Sequence, residues 1–301
     1  MTMAAGLWHK DQVLLNGAAL EADRRRENRQ LLMLCSPGIL LAFFLLCLPI
    51  GWLFWFSFID AGGSPTFEHY SRIWNEGAYI QIFIVTFETS ALVTAICVLL
   101  GYPLAYCLSQ MSQKWSGIVM LGVLVPFWTS LLVRTYAWLV LLQRRGIVNT
   151  LLVDSGLVHQ PLPLVNNLTG TIIGMVHIMV PFLVLPLYAS MRSIDGTYLR
   201  AAANLGASPV KAFWQIYLPL SLPGLIAGLV LTFILCLGFY ITPAILGGGR
   251  VQFIAQRIET SVHLFPTWGP ASALGVVLLA FTLAILVLSQ LLLSRWRRRL
   301  G

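Results

Sequence analysis

The sequence predicts an all-α integral membrane protein with six transmembrane helices and a short, punctuated helical segment on the cytoplasmic side between the fourth and fifth. Three observations carry that expectation. Hydrophobic residues fill 58% of the 301 positions and charged residues only 10%, with a mean hydropathy of +0.81; a soluble globular chain carries about 25% charge. Apolar runs recur at about the 20-residue length that crosses a ~30 Å hydrocarbon core as helix. These runs do not alternate polar with apolar, as the ~10-residue strands of a membrane β-barrel would.

Taken in order, residues 1–30 are too polar for a secretory signal, and no small-residue cleavage site closely follows the first apolar run. They read as a retained cytoplasmic segment with some helix. The first span, 31–59, follows the basic cluster at 24–29. The loop 60–81 leads to the second span, 82–110, and a very short turn leads to the third, 116–142. The loop 143–169, like 60–81, is too short to fold as a separate domain. The fourth span covers 170–191 and the fifth 219–247. At its end the run Gly247-Gly248-Gly249 permits unusual backbone angles; it reads as a plain turn, or else as a contact for an external protein. The sixth span, 271–294, gives way to the basic tail 295–301. Residues 31–294 thus form a single transmembrane domain.

Six spans put both termini on one side, with the loops near 111–115 and 192–218. Thirteen lysines and arginines fall on that side. Five (Arg72, Arg144, Arg145, Arg250 and Arg257) fall on the other, and Arg134 lies inside a span. Excess basic charge marks the cytoplasmic face. The net charge of +8 needs no nucleic-acid partner, because the clusters at 24–29 and 295–299 flank spans and meet anionic inner-leaflet lipid. Cys35, Cys47, Cys97, Cys107 and Cys236 all lie in spans without paired spacing. They read as small hydrophobes, neither disulfides nor metal ligands.

Several chemistries are missing. A phosphate-binding loop needs Gly-Lys followed by Ser or Thr, and none of the three lysines follows a glycine. Neither Gly-x-Ser-x-Gly nor His-Glu-x-x-His occurs. No catalytic residue and no metal site are expected. Ion-driven carriers place several ionisable groups in the membrane; the spans here hold Glu88, Arg134 and His177. An ion-driven secondary carrier and a membrane enzyme therefore rank below a passage that draws its energy from elsewhere.

The stretch "AAANLGASPVKAFWQIYLPLSLPGLIAG" at 201–228 interrupts the apolar pattern. Thr197 is placed to cap a helix over about 198–205, and Gly206 to end it. Ser208 then caps a second helix with Pro209 at its first position, where the missing N–H is harmless. The segment is expected to stop at Leu218-Pro219. Ala201, Ala202, Ala203, Gly206 and Ala207 give it a small side that another surface can approach closely, and Phe213, Trp214 and Ile216 an apolar anchor. From the residues alone, a surface helix packing on its own spans explains the segment equally well.

The spacing resembles the EAA loop of binding-protein-dependent ABC importer permeases: Glu-Ala-Ala, three residues, Gly, nine residues, Ile, one residue, Leu-Pro. Ala201, Ala202, Gly206, Ile216, Leu218 and Pro219 match it without a gap, between the fourth and fifth spans. Arg200 stands where the family has its acid, so a carboxylate contribution to capping or docking is not carried over. The resemblance implies that the loop 195–219 couples to a separate ATPase through Arg200, Ala201, Ala202, Gly206, Ala207, Ser208 and Phe213. Two further stretches, "PFWTSLLVRTYAW" (126–138) and "FYITPAILGGGR" (239–250), are similar to the spermidine/putrescine branch. That likeness implies a bacterial inner-membrane complex with an ABC ATPase dimer, which binds the ATP and Mg, a second homologous permease and a periplasmic substrate-binding protein. Related members of the branch take 4-aminobutyrate, opine or phosphonate-type ions.

Within the spans, Glu88, Arg134, His177 and Tyr240 each fall six to eight residues below the outer end, or roughly 9–12 Å deep at 1.5 Å per residue. Embedded charges pair or face a watery cavity. One reading is a Glu88–Arg134 ion pair locking two helices; the other makes the layer part of the translocation path. Trp128, Tyr136, Trp138 and Tyr240 add aromatic faces that attract ammonium groups, or else anchor the chain at the interface.

Overall fold

The computed structural model describes the backbone of residues 2–300 and the side chains of residues 24, 26, 27 and 29–294. The chain divides into two units, Met1–Trp55 and Phe56–Gly301. The first is nearly all of one helix, α1 (Thr2–Ser57). Its segment Arg29–Ser57 is long and apolar enough to cross a membrane, and Leu34, Leu41, Leu46 and Trp55 along it are all exposed.

The second unit opens with α2 (Glu68–Asn75) and the long α3 (Gly77–Gln110). Then come α4 (Gln113–Leu124), a 3-10 turn (Val125–Trp128), α5 (Leu131–Leu142) and α6 (Ile147–Asp154). After α7 (Leu168–Arg192) lie α8 (Gly196–Asn204), α9 (Pro209–Ala212), a π-helical turn (Phe213–Tyr217) and α10 (Leu218–Leu237). The unit closes with α11 (Ile241–Leu246), α12 (Ile254–Leu264) and α13 (Gly269–Leu300). Described residues form no strand, as the non-alternating apolar runs require.

The core sits where α7 packs against α3 and α10. Val93, Cys97 and Leu108 of α3 meet Met175, Met179, Leu183 and Leu187 of α7, with Cys236 of α10 beside them. Small residues set the helix spacing, as is usual in membranes. A Cβ on Gly101 would come within 2.6 Å of Leu183 Cδ2, and one on Gly228 within 2.8 Å of the Leu183 carbonyl. Cys97 and Cys236 are buried free thiols; Cys35, Cys47 and Cys107 are free and exposed.

Two spans expected to be single helices are broken. The third, 116–142, bends by 98° between Gln113–Trp128 and Leu131–Asp154. Pro126 tightens the chain into the 3-10 turn, where the Thr129 N–H and hydroxyl both close on the Pro126 carbonyl, at 3.2 and 2.8 Å. Thr129 is then extended, with ψ 145°. The fifth span, 219–247, is interrupted at Gly238–Tyr240 before α11. Pro243 has no N–H to send back to the Phe239 carbonyl, which removes a ladder bond just where the helix is interrupted. Among the described residues, five helices are long and apolar enough to span, or six when the bent pair counts as one.

Conversely, no stop occurs at Leu218-Pro219. Helix runs from Pro209 to Leu237 because the Leu218 N–H reaches back five residues to the Phe213 carbonyl at the π-turn. That wider turn shifts the register where Pro219 lacks a donor. The triglycine forms a tight turn. Gly248 (φ 57°) lies so close to Asn166 that a Cβ would collide with its side chain. The loops also carry structure of their own: α2 lies in 60–81 and α6 in 143–169.

Candidate functional site

The segment between α7 and α10 is two short helices hinged at one glycine. Asp195, not Thr197, caps α8: its Oδ1 accepts from the Thr197 N–H and hydroxyl, both at 2.8 Å. An acid suits this place because it also faces the positive helix end. The Thr197 backbone bond, then its hydroxyl bond, hold the Asp195 carboxyl below its ordinary value. Arg200 turns back along α8 and donates from Nη2 to Thr197 Oγ1 at 3.3 Å.

Helix α8 closes in a Schellman pattern. The Gly206 N–H reaches the Ala203 carbonyl at 2.9 Å, and the Ala207 N–H reaches that of Ala202 at 3.0 Å. Gly206 sits at φ 82°, where a side chain is strained. Ser208 Oγ then accepts from the Lys211 N–H at 3.3 Å, capping α9 with Pro209 at its first position.

The expected docking residues divide by face. Arg200, Ala201, Gly206 and Ser208 are exposed. Ala202 is buried, Ala207 is half-buried, and Phe213 stacks inward against Tyr217 with Tyr102 and Tyr106 edge-on. Tyr198, Leu205, Val210 and Trp214 complete the exposed face, and Leu205 is 89% exposed. Sequence reasoning missed Leu205 and Val210. Their signal was a large apolar residue on each side of the hinge among small and polar neighbours.

Arg134 of α5 lines a small cavity of about 150 Å³ with Phe127, Met179, Phe182 and Phe239. Its Nε is buried with no hydrogen-bond partner. His177 and Trp138 meet edge to face at 5.4 Å in a neighbouring cavity of about 540 Å³. Thr135 Oγ1 and Thr242 Oγ1, 3.1 Å apart, tie α5 to α11 and so place Tyr240 near this layer. Trp128 and Tyr136 are exposed.

Glu88 stands apart. It lines neither cavity and lies on an exposed stripe of α3 with Ile84, Leu92 and Leu99. Ion pairs among the described residues join Arg72 to Glu68 and Glu76, and His263 to Glu259. The expected Glu88–Arg134 pair is not formed, because α3 turns Glu88 toward its open side.

Residues 31–298 match the family of binding-protein-dependent transport system inner membrane components. The spermidine/putrescine transport system permease protein PotB of Haemophilus influenzae is 34% identical over 248 residues, covering 79% of this chain and 86% of that protein. Among solved structures, a bacterial ABC transporter that imports the acidic polysaccharide alginate superposes with a TM-score of 0.65 at 18% identity, covering 93% of this chain and 98% of that one. A second alginate transporter structure, in complex with a periplasmic protein bound to an alginate pentasaccharide, gives 0.64 at 18% identity over 87% of this chain and 93% of that one.

Proposed function

This chain belongs to the family of binding-protein-dependent transport system inner membrane components and is a multi-pass permease subunit of an ABC importer, and we propose that its cargo is a polyamine of the putrescine/spermidine class. The observation that carries the cargo is the 34% identity to a spermidine/putrescine permease over most of both chains. ATP hydrolysis, with its Mg, belongs to a partner ATPase dimer docked on the exposed face of α8 and α9. A second homologous permease completes the passage, and a periplasmic binding protein delivers cargo. The chain lies in the bacterial inner membrane with both termini cytoplasmic, and loop 192–218 faces the ATPase.

Closure of the ATPase pair swings the hinged segment as a lever and alternates the access of the cavity. Glu88 supplies the carboxylate that a polyammonium cargo needs, and Trp128, Tyr136 and Tyr240 supply cation–π faces. Arg134 and His177 line two cavities apart from Glu88. One observation favours a second reading: a half-buried guanidinium whose Nε is buried without a partner suits a cargo that also carries a carboxylate, such as 4-aminobutyrate.

Uptake by the reconstituted complex decides between them. Radiolabelled putrescine should enter with ATP and the binding protein, and excess 4-aminobutyrate should not compete. Uptake of radiolabelled 4-aminobutyrate, with no uptake of putrescine, would overturn the polyamine assignment. ATP-free uptake driven by an ion gradient would overturn the importer mechanism itself.

A further inference from the structure

We propose that Arg192 and Tyr217 are positioning residues for transport: together they clamp the cytoplasmic end of α3 to both ends of the coupling segment, so that the segment's movement reaches α3. This rests on the coupling reading of residues 195–219.

The clamp has two jaws on one target. Helix α3 ends at Gln110 with its last carbonyls lacking partners inside the helix, at the negative end of the helix dipole. Arg192, the final residue of α7, donates from Nη1 to the carbonyls of Ser109 and Met111, each at 3.1 Å. From the other side, the Tyr217 hydroxyl lies 2.8 Å from Ser109 Oγ. Ser109 Oγ–H is already donated to the Tyr106 carbonyl at 2.7 Å, so the Tyr217 O–H is the donor in that bond. Tyr217 oxygen in turn accepts from Gln110 Nε2 at 3.5 Å.

Arg192 immediately precedes the segment 193–216 and Tyr217 immediately follows it. The whole hinged element is therefore a loop whose two roots meet on three consecutive residues, 109–111. Tyr217 is 2% exposed and held by Tyr106 edge-on at 5.1 Å and Phe213 stacked at 5.9 Å. It closes the π-turn that joins α9 to α10 without a break. A displacement of α8 and α9 thus cannot be absorbed at their roots. It pulls on α3, the same helix that carries Glu88.

Arg192 alone could be an ordinary helix cap, since its guanidinium is exposed and water can satisfy the same carbonyls. A cap and a transmission contact differ in what their loss does. The test uses the complete complex in liposomes, with radiolabelled putrescine (or 4-aminobutyrate where that is the cargo taken up), measuring cargo moved and ATP hydrolysed together. Tyr217→Phe keeps the ring packing and removes one hydroxyl; Arg192→Gln removes the charge; Arg192→Lys keeps it.

Each of the first two should lower cargo moved per ATP roughly fivefold, the scale of one hydrogen bond. The double variant should lower it further, and Arg192→Lys should recover most of the loss. ATP hydrolysis and subunit assembly should stay as in the unaltered complex. Unchanged cargo per ATP in the double variant would overturn the clamp, as would a loss of assembly and hydrolysis in proportion to uptake. Gly206→Val separates the two readings. If it uncouples while the clamp variants do not, only the clamp falls; if it has no effect, the coupling segment itself is misassigned.

Discussion

Glu88 places a carboxyl group on an exposed face of α3. On the stripe of α3 that also bears Ile84 and Leu92, a carboxylate facing lipid would cost about 2.5–3.5 kcal/mol near the bilayer centre. A watery path or a partner subunit removes that cost. Glu88→Gln keeps the shape and drops the charge, so polyamine uptake by the complex should fall tenfold or more, on the order expected for one charge-assisted contact, with assembly intact; normal uptake would take Glu88 out of the path. Asp195 gives a second prediction. Its carboxyl is held below the usual range by Thr197, so the cap's contribution is present above the unfolded-state value and fades as pH falls through the lower folded-state value. Asp195→Ala should speed amide exchange at residues 197–199 at neutral pH, and the difference from the unaltered chain should shrink in strong acid. The sequence pointed to Thr197 as the cap and not to Asp195, because the point at which the backbone turns helical, two residues earlier, is not fixed by residue type.

At the scale of elements, the hinge between α8 and α9 rests on one backbone conformation. A Cβ at Gly206 would meet nothing within 4 Å, so the strain of a substitution there comes from φ 82°. A left-handed non-glycine residue costs roughly 1–2 kcal/mol, with asparagine the best tolerated. Gly206→Val should therefore abolish most ATP-driven uptake, whereas Gly206→Asn should keep most of it; equal uptake by both would show that the turn does not govern coupling. The hinge was legible because Gly, Ser and Pro act locally. The breaks in the third and fifth spans were not read. Pro126 and Pro243 sit inside apolar runs that also fit unbroken helices, and prolines at 103, 181, 186 and 223 do lie within continuous ones. Whether a proline bends or breaks a helix depends on what satisfies the freed carbonyl, which is a tertiary matter. The division of Ala202 and Phe213 from the exposed face is tertiary for the same reason.

At the scale of the whole molecule, the bent pair decides the topology. If Gln113–Trp128 and Leu131–Asp154 together cross the membrane, there are six spans; if they enter and return on one side, there are five, and every segment after them changes sides. Charge discriminates between the two. Six spans leave only Arg72, Arg144, Arg145, Arg250 and Arg257 outside, while the coupling segment and the basic tail 295–299 share the cytoplasm with residues 24–29. Five spans would send Arg192, Arg200, Lys211 and that tail outward, against the bias that orients membrane helices. The same flip would put the hinged segment beyond the reach of any cytoplasmic ATPase. Single cysteines in an otherwise cysteine-free chain, at the exposed positions Ser155 and Ser193, read the outcome directly. A membrane-impermeant maleimide added to intact spheroplasts should label Ser155→Cys at once and Ser193→Cys only after the membrane is opened. The reverse pattern would make the bent pair a re-entrant loop, and no coupling to an internal engine could then pass through residues 195–219.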